Sequence, residues 1–251
     1  MFRLIGFSTI VLLVATSVAS ADPRPFAFTN DTYPVGKGNW EYEQWATLKQ
    51  SGDENVVQFR HELEFGVADN FDLAFYLPNW SYESTDGHDG PNFDSVSVEG
   101  VVYFMNPVTD AIGLGWYNEI SVGEDALEFE TKLLVQKDIG NWVFAYNLVL
   151  ETELEGVFDA AEENEVEGVV EHTFGASYAI GRGDYRIGGE LVVESIYPDW
   201  STYEHTAVYA GPVFSYWGAE SFWFTVTPMV QLSNQDDEAD FQVRVLGGYQ
   251  F

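Results

Sequence analysis

The chain has 251 residues, with 41 Asp+Glu against 10 Lys+Arg for a formal charge of −31, no cysteine, and 46% hydrophobic and 16% aromatic content. Such an acid excess excludes nucleic-acid binding, which needs clustered Lys and Arg against phosphate. The absence of cysteine excludes a disulfide scaffold, a thiolate metal site and a cysteine nucleophile. The apolar content is too high for a disordered chain, and outside the extreme N-terminus no apolar run approaches the ~18 residues of a transmembrane helix.

Met1–Ala21 reads as a cleaved secretory signal: Arg3 supplies the positive region, Leu4 to Val14 the apolar region, and Ala19-Ser20-Ala21 the small residues a signal peptidase reads. The mature chain then begins at Asp22 and is exported. Residues Asp22 to Gly38 contain Phe26, Phe28 and Tyr33, and two placements are open for them: a plug or gate inside a barrel, or a frayed periplasmic tail.

From Asn39 to Phe251 the dominant period is two. Val57, Phe59, Leu63 and Phe65 alternate with Gln58, Arg60, Glu62 and Glu64, and Trp142, Phe144, Tyr146 and Leu148 alternate with Val143, Asn147, Glu151 and Glu153 further along. This is the alternation of strands, with no segment at helical spacing. Twelve such segments begin near Asn39, Val56, Phe71, Ser95, Ala111, Ala126, Asn141, Val169, Tyr185, His205, Ser221 and Asp240. Their connections sort into tight turns (Ala68 to Asn70, Asn106 to Asp110, Asp138 to Asn141, Gly181 to Asp184, Gly218 to Ser221) and generally longer acidic loops. The loops are Thr85 to Asp94, Glu155 to Gly168, Tyr197 to Glu204 and Ser233 to Ala239, with Ser51 to Asn55 and Gly123 to Asp125 short.

Short turns on one rim and long loops on the other predict an all-β, antiparallel up-and-down transmembrane barrel of about twelve strands, with turns in the periplasm and loops outside the cell. Aromatics near segment ends (Trp40, Tyr42, Tyr82, Trp116, Trp142, Tyr216 and Trp217) suit interfacial girdles. The chain closes on Val243, Val245, Tyr249 and Phe251 at alternating positions, a pattern that resembles the C-terminal signature read by the barrel-assembly machinery. That machinery, outer-membrane lipid and small solutes are the expected partners.

Pro25-Phe26-Ala27-Phe28 with Gly36-Lys37-Gly38, and the hairpin GVADNFDLAFYLP at Gly66 to Pro78, resemble the phenol meta-pathway-type outer-membrane channel families and related uncharacterised barrel families. The strand pattern of those families matches across nearly all of Asn39 to Phe251, while the specific motifs span about thirty residues. The resemblance implies an uptake channel for small, often hydrophobic molecules.

The alternation assigns Glu41, Glu43, Glu62, Glu64, Asp72, Glu99 and Glu119 to the lumen on the first five strands. It adds Glu128, Glu130, Glu151, Glu153, Glu171, Glu190 and Glu194 on the later ones. Lys49, Arg60, Lys132, Arg186 and Arg244 face them, leaving an excess of acid that would attract cations in a water-filled pore. The competing arrangement is a rigid packed network, with Arg60, Arg186 and Arg244 clamping glutamates. Twelve strands fall between the eight that side chains nearly fill and the sixteen that leave a channel.

The expected function is therefore a passive, cation-favouring channel. A non-conducting structural barrel is the alternative, and a lipid-modifying enzyme a more distant one. None of His61, His88, His172 and His205 is followed two residues later by Ser, so no catalytic residue is assigned. No cofactor or metal is assigned either, because the acidic loops lack the spacing and the bending glycine of an EF-hand.

Overall fold

The structure, a computed structural model, describes residues 23–52, 54–85, 88–158, 165–218 and 221–251. The signal at Met1–Ala21 and the acids Asp159, Glu162 and Glu163 lie outside the described residues.

Twelve strands follow in order: β1 (Trp40–Ser51), β2 (Glu54–Ala68), β3 (Phe71–Thr85), β4 (His88–Met105), β5 (Gly113–Val122), β6 (Ala126–Ile139), β7 (Trp142–Glu155), β8 (Glu165–Ile180), β9 (Tyr185–Tyr197), β10 (His205–Tyr216), β11 (Phe222–Gln231) and β12 (Phe241–Gln250). Each pairs antiparallel with its neighbours in sequence, and β1 closes the ring on β12 from Glu41↔Gln250 to Gln50↔Phe241. Closure leaves no sheet edge, which is the condition for a sheet to sit in lipid.

Period two becomes two faces of opposite chemistry. Along β5 and β7 nearly every second residue is buried, and those between are half-buried or exposed. Trp116, Ile120, Phe129, Leu133, Phe144, Leu150, Ile187 and Val245 are exposed on the outside, while Glu41, Glu62, Glu99, Gln136, Asn147 and Thr173 are almost fully buried inside. A soluble barrel has the reverse arrangement. An apolar outer surface this continuous is stable only against another apolar medium. The interior is a polar network with four small apolar clusters, around Trp45–Trp223, Phe26–Val143, Val101–Tyr117 and Val192–Met229, in place of one core.

Two strand starts differ from the expected ones. β4 begins at His88, not near Ser95, and β8 at Glu165, not near Val169. Pairing continues through Tyr82↔Pro91 and Ser84↔Asp89, and through Glu153↔Glu167 and Glu155↔Glu165. Gly90-Pro91 in β4 and Gly168 in β8 interrupt the alternation, so strand continues without the sustained hydrophobic contrast that marks it in sequence. Trp217 also differs from its expected girdle position, since it packs against the inner cluster of Ala27, Trp45 and Trp223. Trp40, Tyr42, Tyr82, Trp116 and Trp142 are exposed on the outside.

Candidate functional site

The segment before β1 lies inside the barrel. Gly36 and Gly38 take φ of +87° and +85°, left-handed values that glycine adopts without penalty. There the chain reverses from β1 into the lumen, pinned by Gly38 N–H to Gly66 O at 2.7 Å.

From that turn the segment makes a near-complete circuit of the inner wall, towards the end that carries the tight turns. Val35 N–H donates to Asp72 on β3 (3.0 Å), Thr32 N–H to Gln136 on β6 (2.7 Å) and Asn30 N–H to Asn147 on β7 (2.7 Å). The N–H groups of Ala27, Phe28 and Thr29 all donate to the Glu190 carboxylate on β9, each at 2.9 Å. Pro25 O accepts from Ser215 on β10, Arg24 O from Thr225 on β11, and the Arg24 guanidinium pairs with Glu43 on β1 at 3.1 Å. Buried backbone N–H groups need partners, and here polar wall side chains supply them.

The wall is shaped to this occupant. Phe26 is 1% exposed, and its ring presses on Gly175, where a Cβ would come within 2.6 Å of it. Thr32 occupies the same kind of gap at Gly113. Burying Phe26 contributes about 1.5–3 kcal/mol to docking. The Asp31 carboxyl is pushed up to about 6 by burial, against the pull of Arg24. Tyr33, whose hydroxyl donates to Asp138 at 2.7 Å, is pushed up by burial and by that carboxylate.

Above the segment, towards the long loops, is a cavity of about 330 Å³, floored by Arg24 to Asn30 and reaching Lys49, Asp94, Ser121 and Gln242. On the other side, a cavity lined by Arg24, Asp31, Tyr33, Glu43, Glu64 and Glu99 is about 20 Å³, room for about one water.

Within this lumen Glu43, Glu62, Glu99, Glu119, Arg186 and Glu190 are buried, and Arg60, Glu64, Glu128, Glu130, Lys132, Glu151, Glu153, Glu171, Glu194 and Arg244 are half-buried. Register sets the glutamates directly opposite one another: Glu43↔Glu62 and Glu41↔Glu64, the run Glu99↔Glu119↔Glu130↔Glu151, then Glu128↔Glu153, and Glu171↔Glu194. Like charges facing across strands destabilise a sheet. Part of that is offset by Arg60–Glu119 at 2.5 Å, Lys132–Glu130 at 2.9 Å and Arg24–Glu43.

The three-arginine clamp of the competing packed arrangement is only partly formed. Arg186 donates to Ser177 Oγ and to the Asn141 carbonyl, and Arg244 to Thr47 Oγ1 and the Ala27 carbonyl, while Arg60 alone of the three holds a glutamate. The reason is reach: near the turn end Arg186 meets Trp217 and hydroxyls, and Arg244 is drawn over the Phe28 ring at 4.2 Å. Arg24 takes the clamping role instead. It lies outside the strand pattern, so alternation gives no signal for it.

Sequence reading also missed the inward aromatics Trp45, Tyr76, Tyr117 and Trp223. Trp45 shares its face with Glu41 and Glu43 at positions i, i+2 and i+4, which was the available signal.

Charge in the upper cavity is divided between walls. In a closed ring of twelve strands, those six apart face each other. Lys49 on β1, Arg60 on β2 and Arg244 on β12 therefore stand across from Glu151 on β7, Glu171 on β8 and Glu128 and Glu130 on β6, where Lys132, paired with Glu130, is a base on the acidic side. The histidines whose side chains are described are engaged elsewhere: His61 with Tyr42 and Trp80, His172 with Tyr146, and His205 with Glu238.

A family model described as "Family of unknown function (DUF6662)" matches residues 18–245. The chain belongs to that family. No curated protein matches it. Solved structures do. The COG4313 outer membrane channel from Pseudomonas putida F1 superposes with a TM-score of 0.65 at 11% identity, covering 88% of this chain and 98% of that one. The KdgM porin in complex with disordered oligogalacturonate gives 0.55 at 13%, covering 84% and 99%. The β domain of the Bordetella autotransporter BrkA gives 0.55 at 11%, covering 86% and 100%. At these identities the likeness is one of fold: this family member is a twelve-stranded barrel of the outer-membrane type.

Proposed function

We propose that this barrel is an outer-membrane channel for small solutes, favouring cations and closed at rest by its own N-terminal segment. The carrying observation is the segment itself: wall oxygens of Asp72, Gln136, Asn147 and Glu190 hold its backbone N–H groups. Such bonds exchange for water at a net cost of about 0.5–1.5 kcal/mol each at the amide oxygens and about 1.5–3 kcal/mol at the carboxylates. A polar circuit of this kind can undock without unfolding the wall. The cavity of about 330 Å³ above it supplies a vestibule for a small solute. Its acidic wall of Glu128, Glu151 and Glu171 favours cations. Arg244 and Lys49 opposite also suit a solute carrying both charges.

Location in the bacterial outer membrane follows from the apolar exterior and from the fold shared with a channel and a porin. In this reading Met1–Ala21 is the export signal. The outward-facing Val245, Tyr249 and Phe251, with Val243, form the segment engaged during barrel assembly.

The test is the reversal potential of the purified barrel in a planar bilayer under a KCl gradient. The reading predicts cation selectivity, reduced by Glu→Gln changes at Glu128, Glu130, Glu151 and Glu153. Anion selectivity would overturn it. One observation favours a second reading, a non-conducting structural barrel: the turn-side cavity is only about 20 Å³. A folded barrel that stays silent even without residues 22–38 would favour that alternative.

A further inference from the structure

Glu62 on β2, Glu64 two residues along the same strand and Glu99 on β4 bring carboxylate oxygens within 4.8 Å of one another. Glu62 and Glu99 are 1% and 3% exposed. The nearby cations are committed elsewhere, Arg24 to Glu43 and Arg60 to Glu119. Among the described residues no ion pair involves Glu62, Glu64 or Glu99. Tyr76 Oη donates to Glu99 at 2.6 Å. Glu62 Oε2, by contrast, is buried and meets no donor at all.

A buried carboxylate oxygen without a donor is costly to leave ionised, and either a proton or a bound cation relieves it. Beside the cluster lies the enclosed space of about 20 Å³ bordered by Glu64, Glu99, Glu43 and Asp31, with Arg24, paired to Glu43, also in its lining. From this arrangement we infer that Glu62, Glu64 and Glu99 form a binding site for a hard divalent cation of calcium type, set in the wall beneath the N-terminal segment.

Ligand chemistry and size agree. All three donors are hard oxygens, which suit calcium or magnesium and not the softer metals. Two oxygens on one ion can be no further apart than twice the bond length, about 4.6–5.2 Å for calcium and about 4.2 Å for magnesium. A spacing within 4.8 Å lies inside calcium's sphere, and since magnesium usually keeps several waters and takes one or two carboxylates, three on one wall favour calcium. Water completes the shell. The ion would tie β2 to β4 next to the Arg24–Glu43 pair that anchors the far end of the segment.

The experiment is a terbium titration of the full refolded barrel after removal of divalent ions, read by luminescence sensitised through Tyr76 and Trp45. Tyr76 already contacts Glu99, and the Trp45 and Tyr76 rings are 6.3 Å apart. The expected result is one saturable terbium per barrel, displaced by calcium. Affinity should fall at least tenfold in Glu62→Gln and Glu99→Gln, and be unchanged in Asp236→Asn with Asp237→Asn on the surface loop. Heat-modifiable migration in gels reports that each variant is folded.

Absence of saturable binding to the wild-type barrel, or binding that survives Glu62→Gln and Glu99→Gln but is lost in the loop variant, would overturn the site. Neither outcome bears on conduction. The channel reading is tested by current and selectivity and not by ion binding, so the two are distinguishable.

Discussion

At the scale of single residues, the contact between Phe26 and Gly175 and the charge on Asp31 govern docking of the segment. Replacing Gly175 with Val puts methyl groups where the Phe26 ring lies. The burial forfeited, about 1.5–3 kcal/mol, should shift the docked population roughly 10- to 100-fold. The expected outcome is more frequent channel opening with the barrel still folded, reproduced by Phe26→Ala; opening unchanged in both variants would exclude Phe26 as an anchor. Asp31 predicts a pH dependence. Its carboxyl titrates near 6 when docked, with Arg24, Tyr33 and Asp138 around it, against about 3.9 in a free chain. The docked form thus binds the proton more tightly, so docking is strongest below about pH 4 and weakens as pH rises from about 4 to 6. Opening frequency should climb across that window, and Asp31→Asn should flatten the climb. At this scale the sequence is only partly legible. Alternation points Glu62 and Glu190 inward, but not whom they meet: Glu190 binds residues some 160 positions away.

At the scale of elements, twelve alternating segments are readable because each strand has one face in lipid and one in the lumen, so hydrophobic contrast repeats every second residue. Where that contrast ends, as at His88 to Asp94, the reading ends with it. The segment before β1 is the harder case. Its aromatics single it out, yet plug and tail remain equal alternatives in sequence, because its partners are spread over β1, β3, β6, β7, β9, β10 and β11. Removing the Arg24–Glu43 pair offers an element-level test. Arg24→Ala leaves Glu43 buried beside Glu62 without its cation. Truncating one partner of a buried pair typically costs about 3–5 kcal/mol. The segment should then become open to protease near Arg24 while β1–β12 stay resistant, and unchanged protection would argue against this anchor.

At the scale of the whole molecule, an apolar exterior encloses a polar lumen that the segment before β1 divides into a vestibule and a nearly filled base. Family membership and fold were approached from sequence through the terminal motifs and the loop pattern; the division of charge between opposing walls was not, because only a closed ring sets β6 against β12. The most direct test of the central claim is single-channel current from the intact barrel and from one lacking residues 22–38, recorded in the same bilayer. The account predicts rare, brief openings for the intact protein and stable, cation-selective steps for the shortened one. Equal currents from both, or silence from a shortened barrel shown to be folded, would contradict it.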